Sequence, residues 1–229
     1  EGLAGEVASL GVLREARERE TEKLAALVAA RETRLAALAR TRRSREALVA
    51  ALEADIRETG EEIARIEARE AQLEALLADL AALFSDAPSA DLERPFSERR
   101  GSLDWPVDGR LAADYGDPRV GPALRWKGLV IAAERGAAVR AVAHGRVAYA
   151  DWLPGLGLLV VLEHGDGYLS LYGHNDTLLR GVGDWVAPGE AIATVGDSGG
   201  RPSPGLYFEI RSGRRHLNPQ TWFSAPLGR

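Results

Sequence analysis

The first 84 residues contain no proline, and their only glycines are Gly2, Gly5, Gly11 and Gly60. Such a run, rich in Ala, Leu, Glu and Arg, is confined to helix, because nothing in it breaks the backbone ladder. An apolar seam steps by fours and threes through its second part: Leu52, Ile56, Thr59, Ile63, Ile66, Glu70, Leu73, Leu77, Leu80, Phe84. That is a heptad pattern with Thr59 and Glu70 as polar interruptions. Leu3, Val7, Leu10, Leu24, Val28, Leu35 and Leu38 keep a looser spacing upstream, interrupted by Arg31. Residues 1–84 are therefore expected to form a helical coiled coil, with Glu and Arg on the solvated face. A single helix of this length would run about 125 Å and a hairpin about 60 Å. The basic stretch Ala39–Glu46, with Ser44 as a candidate N-cap, and Gly60 are candidate turns. An antiparallel hairpin is preferred because it buries both seams in one chain, and a parallel dimer is the alternative.

The period changes after Phe84. Residues 85–101 read as a polar, proline-containing linker. From residue 102 to 229 the chain reads as short strands between turns, clearest at 139–143, 146–152, 158–163, 168–172, 191–195 and 206–211. His164-Gly165-Asp166-Gly167 has the composition of a tight hairpin turn, and Ala187-Pro188-Gly189-Glu190 that of another. The fold class is thus α+β: an N-terminal helical coiled coil followed by a mostly antiparallel β domain.

Composition narrows the function. A net charge of −5 argues against a general nucleic-acid binder. The absence of cysteine removes disulfides and thiolate metal sites. The sequence opens at Glu1 without a leader, which is expected if an exported protein has lost its signal peptide. The four histidines, at 144, 164, 174 and 216, form no pair at i,i+2 or i,i+4. His144 and His164 each precede a glycine at a strand end and read as turn residues, while His216 falls in a basic stretch. Asp197-Ser198-Gly199-Gly200 lacks the spacing of a nucleophile elbow.

A longer set of landmarks carries more. Trp105-Pro106-Val107, Arg125-Trp126-Lys127-Gly128-Leu129-Val130-Ile131, Gly145-Arg146-Val147, Gly155-Leu156-Gly157, Glu163-His164-Gly165, Leu171-Tyr172-Gly173-His174, Val182-Gly183-Asp184-Trp185-Val186 and Leu206-Tyr207-Phe208-Glu209 occur in that order. Together they resemble the LytM-type (lysostaphin-like) zinc peptidase domain over about residues 103–225. A coiled coil placed before such a domain is similar to the EnvC-type activators of cell-wall amidases.

In active members the metal is held by His-x-Gly-x-Asp and by the second histidine of His-x-His. Here those positions carry Trp126, Val130 and Tyr207, with Gly205 at the companion histidine. The resemblance therefore implies no catalytic residue, no metal and no cofactor. His174 alone survives, at the position of an assisting histidine. A cleft lined by Trp126, Val130, Leu156, Leu159, Tyr172, His174 and Tyr207, with Lys127 and Arg211 at its edge, is expected to bind a partner helix or peptide. The implied partners are a periplasmic peptidoglycan amidase at the groove and an FtsEX-type membrane transporter at the coiled coil. A helix from residues 62–84 is a candidate to cover the groove at rest. The alternatives are a peptidoglycan-binding scaffold and an active zinc endopeptidase.

Overall fold

A computed structural model describes residues 2–84, 94–120 and 124–228. The chain divides into two compact units, Glu1–Glu58 and Thr59–Arg229.

Helix α1 runs from Gly2 to Phe84 without interruption. This corrects the expected hairpin: neither Ala39–Glu46 nor Gly60 turns the chain. Local chemistry explains why. The basic stretch is made of helix formers, Arg42 pairs with Glu46 one turn on at 2.9 Å, and the Thr41 hydroxyl donates to Ala37 O at 3.1 Å. A lone interior glycine costs only about 1 kcal/mol, too little to end a helix that has good formers on both sides. Within the first unit, Leu24, Val28, Leu35, Leu38, Leu52 and Ile56 are exposed.

The remaining elements are β1 (Arg110–Ala113), β2 (Pro118–Val120), β3 (Leu124–Arg125), β4 (Leu129–Ala132), β5 (Ala138–Arg140), β6 (Gly145–Leu153), β7 (Gly157–Glu163), β8 (Tyr168–Leu178), β9 (Trp185–Val186), β10 (Ala191–Val195), β11 (Gly205–Ser212) and β12 (Arg215–Leu217). Among the described residues the main path is β1-β4-β11-β8-β7-β6-β9, and every ladder in it is antiparallel. β8 is shared between two layers. Its first half pairs with β11, and its second half, after His174, pairs with β10, which in turn pairs with β5. His174 has φ 66°, a left-handed conformation uncommon outside glycine, and it marks the bend.

Strand alternation then assigns two faces. Val160, Leu162, Tyr172, Leu206, Phe208 and Ile210 point inward and meet Val139, Ile192 and Val195 of the second layer. Leu159, Val161, Leu169 and Leu171 point the other way. The turn between β7 and β8 has the expected form: Tyr168 N donates to Gly165 O at 3.0 Å, and Gly165, Asp166 and Gly167 all have positive φ.

Of the stretch 85–101, residues 85–93 lie outside the described residues. Residues 94–101 join the β domain through the 3-10 turn Phe96–Arg99. Phe96 is buried and stacks on His164 at 4.5 Å and Trp222 at 4.9 Å. Phe96→Ala should therefore lower stability by roughly 3–5 kcal/mol, as for a core aromatic. Urea unfolding measures this, and a change under about 0.5 kcal/mol, typical of a surface site, would contradict it.

Candidate functional site

The outward face of β4 and β11 carries Val130, Tyr207, Glu209 and Arg211, because alternate residues of a strand share a face. Gly128 lets Tyr207 lie down on it: an added Cβ there would meet Phe208 O at 2.4 Å and Tyr207 Cζ at 3.0 Å. Glu209, itself buried, organises the polar part. It accepts from the Tyr207 hydroxyl at 2.7 Å, hydrogen-bonds His216 Nδ1 at 2.6 Å, and lies 3.3 Å from Arg211 Nε. Burial, reinforced by the neighbouring Glu209 charge, pushes the Tyr207 phenol well above its ordinary pKa, so it stays protonated.

Residues 66–80 of α1, which belong to the same compact unit, pack on this face. Leu73, Leu77 and Leu80 bury against Ala148, Leu153, Leu159, Val161, Leu169 and Leu171. The polar interruption of the seam has a partner here: Glu70 reaches Lys127 Nζ at 2.8 Å and Arg119 at 3.6 Å. One turn on, Glu74 pairs with Arg211 and lies 3.5 Å from His216. Burial raises the Glu74 pKa, but the hydrogen bond and charge of Arg211, with His216 and Lys127, outweigh it and leave the group below its ordinary value. Arg211 is fully buried and its Nη1 has no hydrogen-bond partner among the described residues. Among the described residues, Glu74 and Glu209 are the carboxylates that balance its charge.

The covered part of the cleft keeps only about 30 Å³ of free space beside Glu70, Leu156 and Tyr207. Next to it an open part of about 390 Å³ is lined by Trp126, Val130, His174, Arg119 and Arg201. Arg119 stacks on the Trp126 ring at 4.4 Å. His174 bonds Ser198 O through Nδ1 at 2.8 Å. Burial, with the nearby Arg201 and Arg119 charges, lowers its pKa to about 4, so the ring is neutral.

The structure thus gathers Trp126, Lys127, Val130, Leu156, Leu159, His174, Tyr207 and Arg211 along one face. Tyr172 is not among them, which corrects its expected place in the groove. It occupies the inward register of β8, fully buried; its hydroxyl accepts from Val142 N at 3.0 Å and bonds Ser170 Oγ at 3.0 Å. Sequence reading missed Glu209, His216, Arg119 and Arg201. Glu209 was within reach, since it lies two residues from Tyr207 on the same strand. His216 became visible only when β12 paired Arg211 with it.

Residues 124–219 match the family model of peptidase family M23. Over 123 residues the chain is 53% identical to the murein hydrolase activator EnvC of Escherichia coli K12, covering 54% of this chain and 29% of that protein. It is 42% identical over 116 residues to the murein hydrolase activator NlpD of the same organism, covering 50% and 29%. The chain therefore spans less than a third of the length of these relatives. A Pseudomonas aeruginosa crystal structure assigned to peptidase M23 has the same fold, with TM-score 0.53 and 23% identity over 71% of this chain and 62% of that one. The zinc of active relatives does not fit the residues present here. Trp126 and Val130 offer no donor atom, and the Tyr207 phenol is protonated and engaged with Glu209.

Two outcomes follow from these placements. Tyr172→Phe leaves the buried Val142 N–H unpaired and should cost about 1–3 kcal/mol in urea unfolding while leaving the outward face unchanged. His164 and His174 both have folded pKa values of about 4, below the 6.5 of the free side chain. Between pH 6.5 and 4 only the unfolded chain takes up these protons, so stability falls as pH drops through that window. A urea midpoint that stays level from pH 7 to pH 4.5 would contradict this assignment.

Proposed function

We propose that this chain, whose β domain is of the M23 type, is a non-catalytic activator of peptidoglycan amidases that binds its partner on the face now covered by residues 66–80 of α1. The observation that carries this reading is the occupancy of the lost metal cleft. Its ligand positions have become Trp126, Val130 and Tyr207, and an amphipathic helix already lies along the adjoining face, held by apolar contacts and by Glu70 and Glu74. A surface that accepts one such helix has the chemistry to accept another. The names of the relatives, both murein hydrolase activators, support the same reading.

In this account α1 acts as an internal competitor. The partner helix takes the place of residues 66–80, and Lys127 and Arg211 pass from the chain's own carboxylates to those of the partner. Trp126, Lys127, Val130, Leu156, Leu159, His174, Tyr207 and Arg211 form the partner-binding face. The exposed apolar residues Leu24, Val28, Leu35, Leu38, Leu52 and Ile56 suit a coiled-coil contact, in this reading with a membrane partner of the FtsEX transporter type, the protein acting in the periplasm.

The test is the stimulation of a purified periplasmic amidase on isolated peptidoglycan by the full chain and by Glu70→Lys/Glu74→Lys. Reversing both carboxylates sets like charges against Lys127 and Arg211 and should weaken helix docking by about 1–3 kcal/mol, raising stimulation at sub-saturating amidase by at least about fivefold. Adding Tyr207→Ala to that variant should abolish the gain. Equal stimulation by the parent chain and the charge-reversed variant would overturn the competitor role.

A further inference from the structure

The open part of the cleft has an electrostatic character that the covered part lacks. Arg69, Arg119 and Arg201 line it, and none of its lining residues is acidic. Arg119 shares Glu70 with Lys127 at the boundary. Arg201 is half-buried, and among the described residues its guanidinium donates to a backbone carbonyl, Ser203 O at 3.2 Å, and meets no carboxylate. A guanidinium withdrawn from water without a carboxylate is costly, and a bound anion relieves that cost. Gly205 lies beside Arg201, an added Cβ there being 3.4 Å from Arg201 Nη2. Gly205 stands where active relatives carry the companion histidine of the metal site, so the cleft has exchanged a dication for guanidinium groups. His174 adds a second kind of contact. With Nδ1 committed to Ser198 O, the neutral ring presents Nε2 as an acceptor with no partner among the described residues. Trp126 supplies an apolar wall.

We propose that this open part binds the free C-terminal carboxylate of a short peptide, with Arg201 and Arg119 holding the carboxylate and His174 Nε2 accepting a peptide N–H. The volume of about 390 Å³ suits a ligand of two or three small residues but not a helix, and the arginines favour one that ends there in a carboxylate. The site is coupled to the helix. A carboxylate on Arg119 competes with Glu70 for the same guanidinium, so peptide binding and docking of residues 66–80 oppose each other. Peptide binding is measured without an amidase, so its failure is distinguishable from failure of the activator reading, with which it shares the helix of residues 66–80.

Isothermal titration calorimetry of the full chain tests it with three probes: acetyl-Ala-Ala, its C-terminal amide, and acetyl-Asp amide, which carries its carboxylate on a side chain. Acetyl-Ala-Ala should bind at least tenfold more tightly than the other two. Arg201→Gln should remove that advantage, and Glu70→Gln, by freeing Arg119, should tighten acetyl-Ala-Ala severalfold. Circular dichroism and the urea midpoint establish that each variant is folded, and Arg119→Gln provides a second loss-of-binding variant. Equal binding of the acid and its amide, or undiminished binding by both arginine variants, would overturn the proposal. Acetyl-Asp amide binding as tightly as acetyl-Ala-Ala would overturn the terminal-carboxylate assignment.

Discussion

The outer face of the main sheet is apolar and has to be covered. Leu159, Val161, Leu169 and Leu171 alternate with the core residues of β7 and β8, so the same strands that build the interior also present a second hydrophobic surface. In this chain the cover is its own helix. Burying Ile66, Leu73, Leu77 and Leu80 contributes on the order of 10 kcal/mol before the cost of ordering the segment. In the proposed activator role, a partner that uses this face has to offer a comparable apolar stripe, as an amphipathic helix does.

Hydrophobic contact alone would let the helix slide or turn. Two carboxylates one turn apart fix it: Glu70 between Lys127 and Arg119, and Glu74 at Arg211 and His216. Beneath them Glu209 gathers Tyr207, His216 and Arg211 into one buried network. Buried charges of this kind add little net stability against an apolar alternative, but leaving one unpaired costs several kcal/mol. Glu74 therefore fixes residues 66–80 over Arg211, and in the proposed role a partner helix has to bring a carboxylate in its place.

Much of this was legible in the sequence, for identifiable reasons. The strands of the β domain announced themselves through alternation and turn glycines, and six of them fell where β5, β6, β7, β8, β10 and β11 lie. Short strands such as β9 and β12 carry too few residues for a period to show. The helix path was misjudged because a heptad seam says that a face will be buried but not against what; residues 66–80 buried it on the sheet, not on a second helix. Phe96 was hidden in a polar, proline-containing segment, since one aromatic among charges gives no pattern. Tyr172 was grouped with Tyr207 by chemistry, whereas strand register separates them onto opposite faces. Glu70 read as a flaw in the seam, and its value appears only beside Lys127 and Arg119.

The central claim is that residues 66–80 have to leave the sheet before the partner can bind. The chain contains no cysteine, and a Cβ at Gly155 would lie 3.4 Å from Arg69 Cβ, close to the roughly 3.5–4.5 Å span of a disulfide. An Arg69→Cys/Gly155→Cys chain can thus be compared with itself, oxidised and reduced, so that any strain at Gly155 with its φ of 88° is common to both arms. Amidase stimulation should be absent with the disulfide closed and restored on reduction. Equal stimulation in the two states would contradict the account.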